Sequence, residues 1–422
     1  MVYFKQKLEN NLVNFSNNLS KRRLYQVTIR SLMTAFPVVT LGTFIALVDK
    51  TIFIPNGFFN QLYHVSRWLP NYVSFSNFFS SLDILINNLV VIWIAFLVAA
   101  NAAKLKHQNE WLAGMISGTF LWVCNNQSLF TGETKHGTLN LTLNYSGVTL
   151  HGIFEAIIIG LFVSWLLGRF VRHQLLAILV FTLIVASIAA VFYANVANGF
   201  TEMPSTIFTQ LTANWGTNIF LLLVIVLISN LLMIIGISGP LNLADGHNDA
   251  IFSVQNLNYA LQHHHLENIP YPVNLHAIYD TYAFVGGGGM MLALLIALLL
   301  RSHNHRLQYM AKVSFLPTFF NLNSPLLIGM PVLFNPLLVI PLVITPIVAC
   351  LVAWLFFSLH LMPAAVYPVP LTTPGFLKGF LATGGNWVAL LVGILNLGIA
   401  TGIYLPFVRL NDKYNLTSKV GD

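Results

Sequence analysis

Long apolar runs, separated by short polar clusters, dominate the chain. Residues 111–131, 173–201, 216–244 and 281–300 contain no Asp, Glu, Lys or Arg, and each reaches the length of about 20 residues that a bilayer-crossing helix requires. The runs are apolar on every face, whereas the strands of a membrane β-barrel alternate between an apolar and a polar face. Helices are therefore expected. The pattern predicts membrane segments at 30–48, 82–103, 111–130, 150–170, 175–197, 217–238 and 283–300.

The pattern changes in the last quarter of the chain. Residues 313–377 carry no Asp, Glu, Lys or Arg and hold ten of the 18 prolines. Proline removes a backbone donor and clashes with the preceding helical turn. At membrane depth, the backbone groups it frees survive only when buried in protein or lining a cavity. Two interrupted elements are expected, at 317–335 and 363–385, flanking one full span at 337–360 and followed by a last span at 386–406. Residues 245–280 lack Lys and Arg and carry an apolar stripe of Ile251, Val254, Leu257 and Leu261. They predict a surface helix or a partly embedded element, and the parity of the spans stays open there. The fold class is all-α, a polytopic membrane protein.

Composition agrees with this pattern. Of 422 residues, 56% are hydrophobic and 8% charged, with a mean hydropathy of +0.73, values that exclude an ordinary soluble protein. The net charge of +7 would suggest nucleic acid in a soluble chain, but the basic residues sit at the ends of apolar segments. Lys21, Arg22, Arg23 and Arg30 precede or open the first, Lys104 and Lys106 follow the second, Arg169 and Arg172 follow the fourth, and Lys413 and Lys419 lie in the tail. This is the positive-inside arrangement. It implies a multi-pass protein of the cytoplasmic membrane with a cytoplasmic N-terminus, the lipid bilayer as its surroundings and no nucleic-acid partner. The polar first 29 residues lack the short apolar core of a cleavable signal.

The apolar setting limits the chemistry. Cys124 and Cys350 lie in apolar runs and read as packing residues. His263, His264 and His265, with His247 and His276 nearby, cannot all face one ion from a regular helix, so no metal and no cofactor is expected. Gly286 to Gly289 lacks the Lys and Ser/Thr of a phosphate loop and reads as a surface for close helix packing. Asp83, Glu110 and Glu155 fall near segment ends, where solvation accounts for them. Polar chemistry is best placed on the interrupted backbone FNLNSPLLIGMPVLFNP (320–336), because broken helices near the midplane form many transporter sites. There Asn321, Asn323 and Ser324 are the donors and acceptors. Asn as a helix cap and Ser bonded to upstream backbone are the structural alternatives.

Three stretches carry a family likeness: DTYAFVGGGG (280–289), FNLNSPLLIGMPVLFNPLLVIP (320–341) and VPLTTPGFLKGFLATGG (369–385). On these the chain resembles the membrane-spanning IIC permease of the bacterial phosphotransferase system, lactose/cellobiose (diacetylchitobiose) type. The resemblance implies about ten transmembrane helices with re-entrant hairpins in the C-terminal half. It implies a homodimer formed by the N-terminal membrane region (30–215), a disaccharide held by the C-terminal region (216–410), and cytoplasmic segments at 1–29 and 411–422. A separate soluble IIB protein bearing a phosphocysteine would be the phosphoryl donor. Carried onto this sequence, the pocket comprises Ser238, Asn321, Asn323, Ser324, Thr372 and Thr373.

Three positions depart from the family pattern. Gly236-Ile237-Ser238-Gly239 stands where the family has Gly-Ile-His-Gly, Asn323-Ser324-Pro325 where it has Asn-Glu-Pro, and Leu371 where a Trp is usual. A positioned base accelerates hydroxyl attack by roughly 10²- to 10⁴-fold, and serine supplies none at neutral pH. His247 lies nearby in sequence, but its polar neighbours mark it as a surface histidine. The readings are a β-disaccharide permease such as one for cellobiose, with weakened phosphorylation; a non-phosphorylating facilitator; and a non-transporting membrane receptor or regulator on the same fold.

Overall fold

In a computed structural model, the structure describes residues 2–125, 130–135, 138–143, 152–169, 218–237, 250–330 and 332–414, with isolated positions at 179, 182, 183 and 187. The expected segment at 175–197 therefore lies almost wholly outside the described residues, and residues 238–249, with Ser238 and His247, lie wholly outside them.

Helices make up nearly all of it. The N-terminal part comprises α1 (Val2–Ser20), α2 (Arg23–Val48), a π-helical turn at Asp49–Phe53, the short α3 (Phe58–Tyr63) and α4 (Val65–Trp68), α5 (Tyr72–Lys104), α6 (Glu110–Asn125) and α7 (Ile153–Arg169). An antiparallel hairpin of β1 (Phe130–Lys135) and β2 (Thr138–Leu143) joins α6 to α7, with Phe130 opposite Leu143. The sequence reading had no strand there, although Leu139, Leu141 and Leu143 alternate with polar residues at the period of a strand. The C-terminal part comprises α8 (Ile219–Ile234), α9 (Ala250–His263), a π-helical segment at Leu275–Ala283, α10 (Met291–Arg301), α11 (His305–Phe319), α12 (Ser324–Gly329), α13 (Pro336–Ser358), α14 (Gly375–Ala382) and α15 (Trp387–Tyr414).

Four stretches among the described residues are long and apolar enough to cross a bilayer: Arg23–Tyr63, Tyr72–Lys104, Pro336–Ser358 and Trp387–Asp412. The expected spans at 30–48, 82–103, 337–360 and 386–406 fall within or along them. Between helices in lipid the hydrophobic effect is weak, so close packing of small residues holds them together. On α5, Ala95, Ala99 and Ala103 are fully buried, and Gly160 of α7 lies so near that a Cβ there would stand 2.9 Å from Val98 and from the Ala95 carbonyl. Ser117 donates to that same carbonyl at 3.1 Å.

Two departures from expectation bear on the site. Asp83 is not at a solvated segment end: α5 starts at Tyr72 rather than near 82, and Asp83 is only 7% exposed. Its carboxylate accepts from Asn87 and lies 4.0 Å from the Lys50 ammonium. Residues 283–300 do not form one span. The π-helical segment ends at Ala283, and Gly286, Gly287, Gly289 and Met290 all take positive φ before α10 begins. Run of that kind turns the chain, a conformation glycine adopts without steric cost.

The apolar interior forms two large bodies. One is built by α2, α5, α6 and α7; the other by α8, the segment Leu275–Ala283 and helices α10 to α15. The short α12 joins them: Ile328 belongs to the first body, and Leu326 with Met330 to the second. Gly329 allows this, since a Cβ there would lie 2.0 Å from the Phe36 ring of α2.

Candidate functional site

Three breaks in the backbone meet at one junction, and local sequence explains each. Helix α11 ends two residues after Pro317 in a paired closing turn: Leu322 N–H donates to Pro317 O at 2.9 Å and Asn321 N–H to Thr318 O at 3.0 Å. That is the Schellman arrangement, whose closing residue is left-handed and is Gly or sometimes Asn. Asn321 occupies it, with φ of 67°. Pro325 then opens α12 at a position where a missing N–H costs nothing. The second break is the glycine turn at 286–289. The third is the PLTTP loop before α14, closed by Thr373 N–H donating to Pro370 O at 2.9 Å.

Asn321 ties all three together. Its Nδ2 donates to Leu371 O at 2.7 Å and to Thr373 O at 2.6 Å, while its Oδ1 accepts from Gly286 N–H at 2.8 Å. Both amide hydrogens are used, and the side chain is buried. Thr372 ties the same loop to the N-terminal part, accepting from Phe58 N–H at 3.2 Å and donating to Lys50 O at 3.3 Å. Thr373 is fully buried, and its hydroxyl has no hydrogen-bond partner among the described residues.

Asn323 and Ser324 differ from these in being half-buried. Asn323 approaches the glycine turn, with Nδ2 3.5 Å from Gly288 O, and a Cβ on Gly287 would stand 2.5 Å from it. Of the six residues expected in the pocket, the structure thus gathers Asn321, Asn323, Ser324, Thr372 and Thr373 around one junction, and Ser238 lies outside the described residues. Helix α8 ends at Ile234, and Gly236 takes a φ of 79°.

The junction is supported by side chains that no motif had marked. The carbonyl of Gly289 accepts from Tyr404 at 2.6 Å and from Thr345 at 3.3 Å. Buried Asn396 donates to Tyr282 O and to Ala349 O, at 3.3 and 3.1 Å. Such bonds satisfy carbonyls that a broken helix leaves open where water is scarce. Sequence reasoning also passed over Lys378 of α14, which is 4% exposed and places its ammonium 4.9 Å from the centre of the Phe284 ring. The signal was a lone charge within the apolar string GFLKGFLATGG, because intramembrane charges are rare and mark functional positions.

The histidine tract is arranged differently. His263 stacks on Tyr259 at 4.0 Å and donates through Nδ1 to Tyr259 O of its own helix at 2.9 Å, whereas His276 Nε2 donates to Tyr367 O at 3.1 Å. Cys350 is a free, fully buried thiol.

The chain is similar in sequence to several known proteins. A cellobiose-specific EIIC component of Lactococcus lactis is 34% identical over 139 residues, covering 33% of this chain and 28% of the relative. A lactose-specific EIICB component of Lacticaseibacillus casei is 35% identical over 127 residues, 30% of this chain and 22% of the relative. These matches span roughly a quarter of the relatives' length. A cellobiose-specific EIIC component of Geobacillus stearothermophilus aligns along 100% of this chain and 97% of its own, at 24% identity. Among solved structures, the ChbC transporter, the IIC component of an N,N'-diacetylchitobiose-specific phosphotransferase system, covers 98% of this chain and 99% of its own at 20% identity, with a TM-score of 0.45. The family profile described as phosphotransferase system, EIIC matches residues 29–346, about three quarters of the sequence, and the chain belongs to that family.

Proposed function

We propose that the chain is a sugar permease that moves a β-linked disaccharide such as cellobiose across the cytoplasmic membrane, with its coupled phosphorylation weakened. The observation that carries this reading is the junction itself. In a chain of the EIIC family, three interrupted elements converge on Asn321 and leave two half-buried polar side chains, Asn323 and Ser324, at the break. Polar groups on broken helices are what a hydroxyl-rich solute needs at membrane depth. Asn323 and Ser324, with Ser238, contact the sugar in this reading, and Asn321, Thr372 and Thr373 hold the frame. The N-terminus is cytoplasmic, residues 30–215 form the homodimer, residues 216–410 hold the sugar, and a soluble phospho-IIB protein is the donor for any phosphotransfer.

Ser238 and Ser324 favour a second reading, a facilitator that releases free sugar. Neither hydroxyl can take a proton from an attacking sugar hydroxyl at neutral pH, and the carboxylate and imidazole of the family pattern are absent. One transport experiment separates the readings. Membrane vesicles holding the protein are supplied with labelled cellobiose, with and without phosphorylated IIB protein inside. Phosphorylated sugar inside supports the permease with retained phosphotransfer, and free sugar alone supports the facilitator. No uptake by a folded, dimeric protein overturns both in favour of a receptor.

A further inference from the structure

Helices α2 and α5 run antiparallel and touch at two levels. At one, Asn101 Nδ2 donates to Ser31 Oγ at 2.9 Å; at the other, a Cβ on Gly42 would stand 2.7 Å from Ile86 Cγ2. Between these levels the helices part around a groove of about 290 Å³. Ala35 and Val90 form its buried floor, and Val38, Trp93, Phe96 and Leu97 its walls. Trp93 is 40% exposed, so the groove opens on the outside of the molecule. Both helices lie in stretches long and apolar enough to cross a bilayer. An apolar hollow on such a flank is filled by a lipid tail, because a void forfeits the dispersion contacts of its lining.

We propose that this groove binds an anionic phospholipid, with an acyl chain lying along Ala35, Val38, Val90 and Trp93 and the phosphate meeting Arg30 and Lys104. Charge selects the occupant. On α2 the stripe bordering the groove runs back from Val38 through Thr34 to Arg30, and on α5 it runs on from Leu97 to Lys104, both basic residues being exposed. They flank the Ser31–Asn101 bond, so they stand at the same end of the groove. Lys104 is 3.9 Å from the Glu110 carboxylate, and Arg30 and Arg23 leave that end with a basic excess. Trp111, 71% exposed, packs edge-on against Phe96 at 5.9 Å, and tryptophan gathers at the headgroup level of a bilayer. Arg30 lies about 12 Å along the helix from Val38, which fits within the roughly 15 Å depth of one leaflet's hydrocarbon. A second copy is the competing occupant. A two-fold partner seated on the groove would set this patch against itself, hollow to hollow and, with the axis along the membrane normal, Arg30 to Arg30.

The test is quenching of Trp93 fluorescence by phospholipids with brominated acyl chains, read on the purified full-length protein in mixed micelles. A Trp93→Phe protein measured in parallel subtracts the other tryptophans. A basic residue near the surface contributes on the order of fivefold in affinity for anionic lipid. Brominated phosphatidylglycerol should therefore half-quench Trp93 at a mole fraction about fivefold or more below that of brominated phosphatidylcholine. Arg30→Gln with Lys104→Gln should bring the two lipids together, and Ala35→Leu, which fills the floor, should weaken quenching by both. Equal quenching of the unaltered protein by the two lipids overturns the anionic site. Absence of Trp93 quenching by either overturns it too, as does efficient disulfide cross-linking between copies of a Val38→Cys protein in membranes, which assigns the groove to a second copy. Should the double variant not fold, added salt decides on the unaltered protein, because it screens exposed charges: a lipid preference that salt leaves intact contradicts the roles of Arg30 and Lys104.

Discussion

Asn321 Nδ2 lies 2.6 Å from the carbonyl oxygen of Thr373, across 52 residues of sequence. The contact joins the end of α11 to the loop before α14, and the same amide reaches Gly286 N–H through its oxygen. Rigidity of the junction thus depends on one buried side chain that is held left-handed by a helix-closing turn. Asn tolerates that conformation better than other side chains, apart from glycine and aspartate.

Replacing Asn321 should be the most damaging single change at the junction. Asn321→Ala strands two carbonyls and one N–H in a buried setting, and each orphaned group costs about 1–3 kcal/mol. Asn321→Gly keeps the left-handed turn but not the bonds, so it should recover only the backbone part of the loss. Thermal unfolding in detergent checks this. Equal melting temperatures for the parent and both variants would show that the three bonds hold nothing.

Thr372 links the halves of the molecule, so its removal should loosen one against the other. Thr372→Val keeps the volume and deletes a hydroxyl bonded to Phe58 N–H and Lys50 O. The expected loss is about 1–2 kcal/mol, and Thr372→Ser should restore most of it. Limited proteolysis of the intact protein reads the effect as faster cleavage near residues 54–58. A Thr372→Ser variant as labile as Thr372→Val would assign the effect to the methyl group instead.

How much of this was legible in the sequence depends on which force decides each feature. The long spans were, because length and charge exclusion fix a bilayer helix. The breaks at 320–325 and 370–374 were expected from their prolines, although Pro341 and Pro346 of the same stretch sit inside the unbroken α13. The glycine run at 286–289 was read as a helix-packing surface, and it does pack closely, but as a turn. A row of glycines suits either role, and only the left-handed angles and the facing Asn323 distinguish them. Asp83 was placed at a solvated end because the polar residues from Tyr72 onward hid the true start of α5. The division of labour among the pocket residues was not legible at all: Asn321 and Asn323 look alike in sequence, yet one is buried and fully bonded and the other half-exposed. Lys378 stood one residue beyond the charge-free stretch and drew no attention there.

Gly287 should be intolerant of any side chain, with an effect on transport larger than on folding. Its φ is 94°, and a Cβ would stand 2.5 Å from Asn323 Nδ2. Gly287→Ala therefore strains the turn and pushes Asn323 out of place. A displaced polar contact of this kind costs about 1–1.5 kcal/mol of binding, roughly tenfold in KM for uptake. The measurement is initial-rate uptake into vesicles alongside the melting temperature. An unchanged KM in a folded Gly287→Ala protein would remove Asn323 from the sugar contacts.

The last prediction concerns the two serines. Ser324 opens α12, half-buried beside Asn323 at the junction, and Ser238 follows the turn at Gly236. A sugar hydroxyl attacking a phosphocysteine must lose its proton as the new P–O bond forms and the P–S bond breaks, and a positioned base makes that step roughly 10²- to 10⁴-fold faster. Glutamate at 324 offers such a base, and histidine at 238 offers a donor or acceptor at neutral pH. Ser324→Glu with Ser238→His should therefore raise the rate of sugar-phosphate formation in the presence of phospho-IIB protein, with the double variant exceeding either single one. Free-sugar uptake need not rise with it, because transport asks only for binding and movement of the junction. If the folded double variant forms no more sugar phosphate than the parent, the serines are not a lost catalytic pair.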